Sequence, residues 1–115
     1  MANKLYRGVR QGYVAKVFVD NEELSFEASK ILHPSEATAE WSYFGDGPSQ
    51  TSLAILFDAT GDSENSLKYY HDFKFDFIAN APYEGFTILQ SQIIEWLALK
   101  IASESGPSAW GWWGI

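Results

Sequence analysis

The stretch Trp41-Ser42-Tyr43-Phe44-Gly45-Asp46-Gly47-Pro48-Ser49-Gln50 decides the fold of this chain. Its first half is an aromatic-rich alternating run that ends at two glycines, and its second half places a proline directly before a long apolar run. Alternation followed by glycine predicts a strand and a tight turn, and proline is favoured at the first helical position because its fixed φ suits a helix. Junctions of this kind often contact a ligand or a partner.

Toward the N-terminus, the sequence predicts a short antiparallel meander. Residues 5–10 and 13–19 are rich in strand-forming side chains, and Gln11-Gly12 between them favours a hairpin turn. Residues 24–28 alternate and predict a third strand. Residues 39–43 alternate in the same way and predict a fourth.

Toward the C-terminus, the sequence predicts two main helices. The first begins at Pro48 and ends at Gly61, and Asp62 or Ser63 then caps a short helix through about His71. Residues 87–90 match a capping box, and helical spacing follows in Leu89, Ile93, Trp96, Leu97 and Ile101 until Gly106-Pro107.

Residues 73–78 fit two interpretations. Strict alternation would align the three phenylalanines Phe73, Phe75 and Phe77 on one side of a strand, whereas a continuing helix would put only Phe73 and Phe77 on one face. We predict the strand. The chain is therefore expected to form a small single α+β domain over residues 1–107, in which an antiparallel sheet of four or five short strands is packed by two main helices.

The tail at residues 108–115 is predicted to be a separate segment rich in tryptophan. Left in water, its apolar side chains would favour aggregation, so the tail either folds back over the domain or docks on another chain. Its candidate partner-binding residues are Trp110, Trp112, Trp113 and Ile115.

Composition excludes several classes of function. The net charge of −7 argues against direct nucleic-acid binding, and the absence of cysteine excludes disulfides, thiol catalysis and zinc–thiolate sites. No apolar stretch is long enough to span a membrane, and the N-terminus lacks the apolar region of a signal peptide, so a cytoplasmic protein is expected. Aromatic residues make up 17% of the chain, which is enough to build a large core or to supply a recognition surface.

The candidate ligand-binding residues cluster around the glycine turn. They are Trp41, Tyr43, Gly45, Asp46, Gly47, Ser49 and Gln50, together with His33. Backbone N–H groups at a helix start attract anions, but Pro48 lacks a donor and Asp46 adds a negative charge, so a packing turn is the competing interpretation. No nucleophile, base and oxyanion set and no metal-ligand spacing is recognisable, and neither catalytic residues, a metal nor a cofactor are expected.

The central stretch resembles an uncharacterised family of small prokaryotic and phage-associated domains. Its members show the pattern Trp-x-Tyr-x-Gly-x-Gly-Pro-x-Gln before an apolar helix, and the likeness extends over about residues 5–100. Weaker matches are Tyr6-Arg7-Gly8, His33, and the run from Asp72 to Phe75. The resemblance implies a small stand-alone domain, often on mobile elements, with no assigned chemistry. Asp46 departs from the pattern, which usually has a smaller residue there, and the tryptophan-rich tail lies outside it.

Two functions follow as expectations. The first is a non-catalytic phage or mobile-element accessory protein that binds a protein partner, such as a host factor or defence system, or a second copy of itself. The alternative is a domain that captures a small ligand or nucleotide with the aromatic strand and the glycine turn.

Overall fold

The computed structural model describes the backbone of residues 3–109 and the side chains of residues 3–104. Strand β1 at Leu5–Gln11 and strand β2 at Val14–Val19 open the chain and pair antiparallel. Gly12, in the two-residue turn between them, takes a positive φ of 66°, which glycine adopts at little cost. The first two predicted strands are confirmed, and the turn lies one residue later than predicted.

The predicted third strand over residues 24–28 is wrong. Strand β3 comprises only Glu22–Glu23, and helix α1 at Glu27–Leu32 follows it closely. Leu24 and Phe26 both pack against the core from the irregular segment between these elements. That packing produces the alternating pattern without any strand over residues 24–28.

The predicted strand over residues 39–43 is also wrong. Ser42 has a positive φ of 79°, which interrupts an extended backbone, and its N–H donates to the carbonyl of Ile78 at 3.0 Å rather than to a strand. The ring of Trp41 is buried, whereas Tyr43 is exposed. An irregular segment therefore reproduces the alternation of a strand.

The fourth strand, β4, lies at Gly85–Leu89 and pairs antiparallel with β1. The order across the sheet is β3-β2-β1-β4. The predicted capping box is therefore wrong, because Thr87 lies inside β4 and the next helix starts only at Gln90. Gln92 performs the capping instead, since its side-chain oxygen accepts the Leu89 N–H at 2.8 Å.

Helix α4 at Gln90–Ala109 confirms the last predicted helix but not its end. Ile93 and Leu97 are buried at the helical spacing that predicted it. The helical backbone continues through residues 106 and 107 even though Pro107 cannot donate a backbone hydrogen bond. The predicted partner-binding residues of the tail lie outside the described part of the chain.

Helix α2 at Asp46–Thr60 begins two residues before the predicted Pro48. Pro48 thus lies in the first turn, where its missing N–H costs no helical hydrogen bond. Gly61 ends α2 with a φ of 67°, as predicted. Asp62 then caps helix α3 at Ser63–Phe73, also as predicted, because its carboxylate accepts a backbone N–H of the first turn at 3.0 Å.

A π-helical turn at Lys74–Ile78 continues α3, so the predicted strand over residues 73–78 is wrong. The rings of Phe73 and Phe77 lie 4.8 Å apart, and both meet the ring of Trp96 edge-on. Burying two aromatic rings against α4 favours the helical alternative, because a strand would have turned all three phenylalanines to one side.

The helices cover one face of the sheet, which gives the predicted α+β class. Tyr6, Val17 and Ile88 point from β1, β2 and β4 into a core shared with α2, α3 and α4. The opposite face of the sheet carries side chains that are partly or fully exposed. Among the described residues, no helix is both long enough and apolar enough to cross a bilayer.

Candidate functional site

A cleft at the start of α2 brings four of the predicted site residues together. Its volume is about 580 Å³. The predicted residues in its lining are His33, Asp46, Ser49 and Gln50, and residues 34–37 complete it. These side chains come from the loop after α1 and from the first two turns of α2, which the sequence alone did not place side by side.

Two polar side chains fix the wall of this cleft. Gln50 is only 2% exposed, and its amide donates to the Ser29 hydroxyl at 2.9 Å. That hydroxyl in turn donates to the carbonyl of Phe26 at 2.8 Å, so α1 and α2 are joined by a buried chain of hydrogen bonds. Ser49 accepts a hydrogen bond from the Lys74 ammonium at 2.9 Å, which ties α2 to the π-helical turn. The wall is therefore held from both sides.

Basic groups gather beside this wall. Lys74 forms no ion pair among the described residues, and His71 lies three residues before it on α3. The His71 ring stacks on Tyr70 with 4.1 Å between ring centroids, and the Tyr70 ring is 6.1 Å from that of His33. Although the His71 side chain is largely exposed, partial burial lowers its pKa, and the charges of Lys74 and His33 add to the effect, while Asp72 opposes it. Carboxylates accompany these basic groups, Asp46 in the cleft and Asp72 beside His71, so the patch carries charges of both signs.

We expect Lys74→Ala to raise the pKa of His71 toward its ordinary value of about 6.5, because it removes a nearby positive charge. The measurement is an NMR titration of the two histidine rings. Lys68→Ala is the matched control, since the Lys68 ammonium is engaged with Glu104 at 2.9 Å and should leave the His71 titration unchanged. An unchanged His71 pKa in Lys74→Ala would contradict this arrangement of charges.

An exposed aromatic surface flanks the cleft. We use that name for Tyr43, Phe44 and Phe75, which are 48%, 56% and 60% exposed. The rings of Phe44 and Phe75 are in contact, with 5.4 Å between centroids, although they come from separate segments of the chain. A second cleft, of about 430 Å³, adjoins this pair and is lined by Phe44, His71, Asp72, Lys74, Phe75, Asp76 and Lys100.

Sequence reasoning found only part of this arrangement. Its candidate site residues included Tyr43 but not Phe44, Phe75 or Lys74. Phe75 and Lys74 reach the site only because the π-helical turn directs them there, and the sequence predicted a strand at that position. Phe75 could have been found from the helical alternative, which separates it from Phe73 and Phe77, whereas no signal in the sequence paired it with Phe44.

Trp41 lies apart from the cleft and inside the core. The Arg10 guanidinium stacks between the rings of Trp41 and Tyr83, at 4.6 and 3.8 Å from their centroids. The indole N–H of Trp41 donates to the Tyr83 carbonyl at 3.0 Å, and its ring meets Phe86 edge-on. Trp41 has no exposed surface, so its ring faces contact protein rather than a ligand.

The two glycines of the turn allow close packing. A Cβ atom at Gly45 would lie 2.8 Å from the ring of Tyr43, and one at Gly47 would lie 2.8 Å from the Cβ atom of Glu40. Side-chain Cβ atoms do not approach other atoms this closely, so both positions bring Tyr43 and Glu40 against the start of α2. This geometry fits the packing interpretation of the turn.

The arrangement can hold a polar or anionic group and an apolar group side by side. The ammonium of Lys74 and the hydroxyl of Ser49 offer hydrogen bonds, and the aromatic surface offers contact area. Within the described residues, no three His, Asp or Glu side chains are grouped so as to hold a metal ion.

Comparison with known proteins gives one result. A family model described as a family of unknown function (DUF6166) matches residues 6–99. No curated protein and no solved structure matches the chain significantly. The match covers most of the chain and confirms the resemblance to an uncharacterised family, so this chain belongs to the family of unknown function DUF6166.

Proposed function

We propose that this chain is a non-catalytic binding protein that contacts a protein partner through its aromatic surface. The observation that carries the proposal is the contact between Phe44 and Phe75, whose rings are both more than half exposed. Large aromatic side chains supply much of the binding energy of protein interfaces, because they bury a wide area with few rotatable bonds. Two such rings held together on the surface are suited to that role.

Polar groups around the aromatic pair resemble the rim of an interface. Lys100 pairs with Asp72 at 3.6 Å, and the carboxylate of Asp76 accepts the indole N–H of Trp96 at 2.8 Å. Both carboxylates are thus already engaged, whereas Lys74 has no acidic partner among the described residues and donates to the neutral Ser49. An apolar centre within a polar rim is the common arrangement of protein interfaces, and the free positive charge favours a partner with an acidic group nearby.

The expected setting is the cytoplasm of a host cell, where the chain would act as an accessory protein of a phage or mobile element. Its partner would then be a host protein, including a component of a defence system.

The proposal is tested by comparing what the tagged wild type and two variants capture from cells in which the chain naturally occurs. We expect Phe75→Ala to lose a protein that the wild type captures, and the purified pair to bind at least tenfold more weakly when the variant is used. Tyr13→Ala is the matched control, because Tyr13 is a fully exposed aromatic residue at the β1–β2 turn. Equal binding by the wild type and Phe75→Ala would contradict the proposal.

The cleft favours a second candidate function, the capture of a small ligand such as a nucleotide. Four predicted residues line it, and the Lys74–Ser49 hydrogen bond places a cation at its wall. The ligand-binding role predicted for Trp41 is not part of this second candidate function, since the Trp41 ring is buried. A thermal-shift panel of nucleotides separates the two functions, because a ligand that binds the native state raises its melting temperature. Stabilisation that disappears in Lys74→Ala would favour ligand capture over a purely protein-binding role.

A further inference from the structure

At the outer edge of strand β4, only the central residue Thr87 has unpaired backbone groups among the described residues. The flanking N–H groups of Gly85 and Leu89 donate to the Pro82 carbonyl at 3.1 Å and to the Gln92 side chain at 2.8 Å. The N–H of Gln90 donates to the Lys4 carbonyl at 2.8 Å. This bond establishes which residues of β4 direct their backbone groups toward β1 and which direct them away. In this register, Phe86 and Ile88 exchange hydrogen bonds with β1, and Thr87 between them turns its N–H and C=O away from the sheet. Thr87 is exposed and has no hydrogen-bond partner among the described residues.

The sequence of β4 offers none of the usual blocks to pairing at Thr87 itself. Natural sheets usually block an open edge with charged side chains, proline, a bulge or a very short strand. The sequence Gly85-Phe86-Thr87-Ile88-Leu89 contains no charged residue and no proline, and it pairs with β1 without a bulge.

The other edge of the same sheet is protected. Strand β3 is two residues long, and both residues are glutamates. They pair with the end of β2, and the N–H of Leu24 closes one further bond to the Val17 carbonyl at 2.8 Å. One edge of the sheet is therefore short and negatively charged, and the other is uncharged and open at Thr87.

The occupant that best fits the open edge is another β4. An antiparallel pair centred on Thr87 would be self-complementary, because each Thr87 would donate to and accept from its counterpart. The same register would place Phe86 of each copy opposite Ile88 of the other, which forms apolar cross-strand pairs. No charge opposes this pairing, since β4 carries none.

We propose that two copies of this chain form a two-fold symmetric dimer in which their β4 strands pair antiparallel around Thr87. The two four-stranded sheets would then join into one continuous sheet of eight strands. This inference goes beyond the proposed function, because it uses the edge of β4 rather than the aromatic surface of Tyr43, Phe44 and Phe75. Loss of the dimer and loss of partner binding can therefore be observed separately.

The test is sedimentation equilibrium of the full chain over a wide range of concentrations. We expect a monomer–dimer equilibrium that Thr87→Pro weakens by about tenfold or more, because proline removes both central hydrogen bonds. Proline at this position costs no bond to β1, since the Thr87 N–H points outward. Ala15→Pro is the matched control, because by the same alternation the N–H of Ala15 also points away from β1, but on the protected side of the sheet.

A charge-swap pair tests the register and does not depend on proline being tolerated. Thr87→Lys and Thr87→Glu should each weaken self-association, because like charges would face each other across the two-fold axis. An equimolar mixture of the two should restore the dimer as a heterodimer. A wild-type chain that stays monomeric at every concentration would overturn the proposal, and so would a mixture that associates no better than either variant alone.

Discussion

Replacing Trp41 with alanine is expected to destabilise the fold by about 3–5 kcal/mol, the range for removing a large aromatic side chain from a core. Trp41 is completely buried, meets Phe86 edge-on with 5.1 Å between centroids, and lies under the guanidinium of Arg10. The variant would also remove the indole hydrogen bond at 3.0 Å to the Tyr83 carbonyl, which would still accept from the Arg10 guanidinium at 2.6 Å. Urea unfolding followed by circular dichroism measures the loss of stability.

Phe44→Ala is the matched control for Trp41→Ala, because Phe44 lies three residues away in the same stretch but is more than half exposed. Its effect on the free energy of unfolding should stay within about 0.5 kcal/mol, as is usual for surface substitutions. Similar losses in both variants would mean that Trp41 is not the packing centre of this segment.

The second large effect is expected from Phe73→Ala, which should also cost about 3–5 kcal/mol. Phe73 has no exposed surface, and its ring contacts those of Phe77 and Trp96 at 4.8 and 5.3 Å between centroids. Removing it would open a cavity between the end of α3 and α4, which neighbouring aromatic rings cannot fill without leaving their own contacts. The same urea unfolding measurement applies.

Phe75→Ala distinguishes the π-helical turn from the strand that alternation predicted. In a strand, Phe73 and Phe75 would point to the same side, and their alanine variants would have comparable costs. In the observed turn, Phe75 is 60% exposed, so its variant should lose less than about 0.5 kcal/mol. Comparable losses in Phe73→Ala and Phe75→Ala would contradict the turn. The same tolerance makes Phe75→Ala suitable for the binding test.

Features with local causes were predictable from the sequence. Gly61 ends α2 because a glycine accepts the left-handed conformation, and Asp62 caps α3 because its carboxylate reaches the N–H groups of the next turn. The hairpin between β1 and β2 belongs to the same class, since Gly12 supplies the positive φ of its turn. Each of these features is decided by a few neighbouring residues.

Features decided by distant contacts were not predictable. The pattern of threonine at 87 and glutamine at 90 is that of a capping box, but pairing with β1 places Thr87 inside β4, and the helix starts only at Gln90. The strand-like alternating patterns around Trp41 and Phe73 also arise from distant contacts, because both rings enter a core formed by other segments. In each case tertiary burial outweighed a local pattern that was present in the sequence.

The candidate site shows the same division. Asp46, Ser49 and Gln50 were found together because they are neighbours at the start of one helix, and His33 joined them by the fold. Lys74 and Phe75 were missed, because their approach to the site depends on a π-helical turn at the end of α3. Lys74 and Phe75 meet the other residues of the site only because of this π-helical turn, so their spacing in the sequence does not show that they belong to it.

The central claim is that Phe44 and Phe75 form the contact surface for a protein partner. Its most direct test is photo-crosslinking in native cells, with a benzoylphenylalanine placed at position 44, 75 or 13. We predict that the probes at positions 44 and 75 crosslink to one and the same protein and that the probe at position 13 does not. Crosslinks to that protein at all three positions, or at position 13 alone, would contradict the claim, as would no crosslink at either phenylalanine.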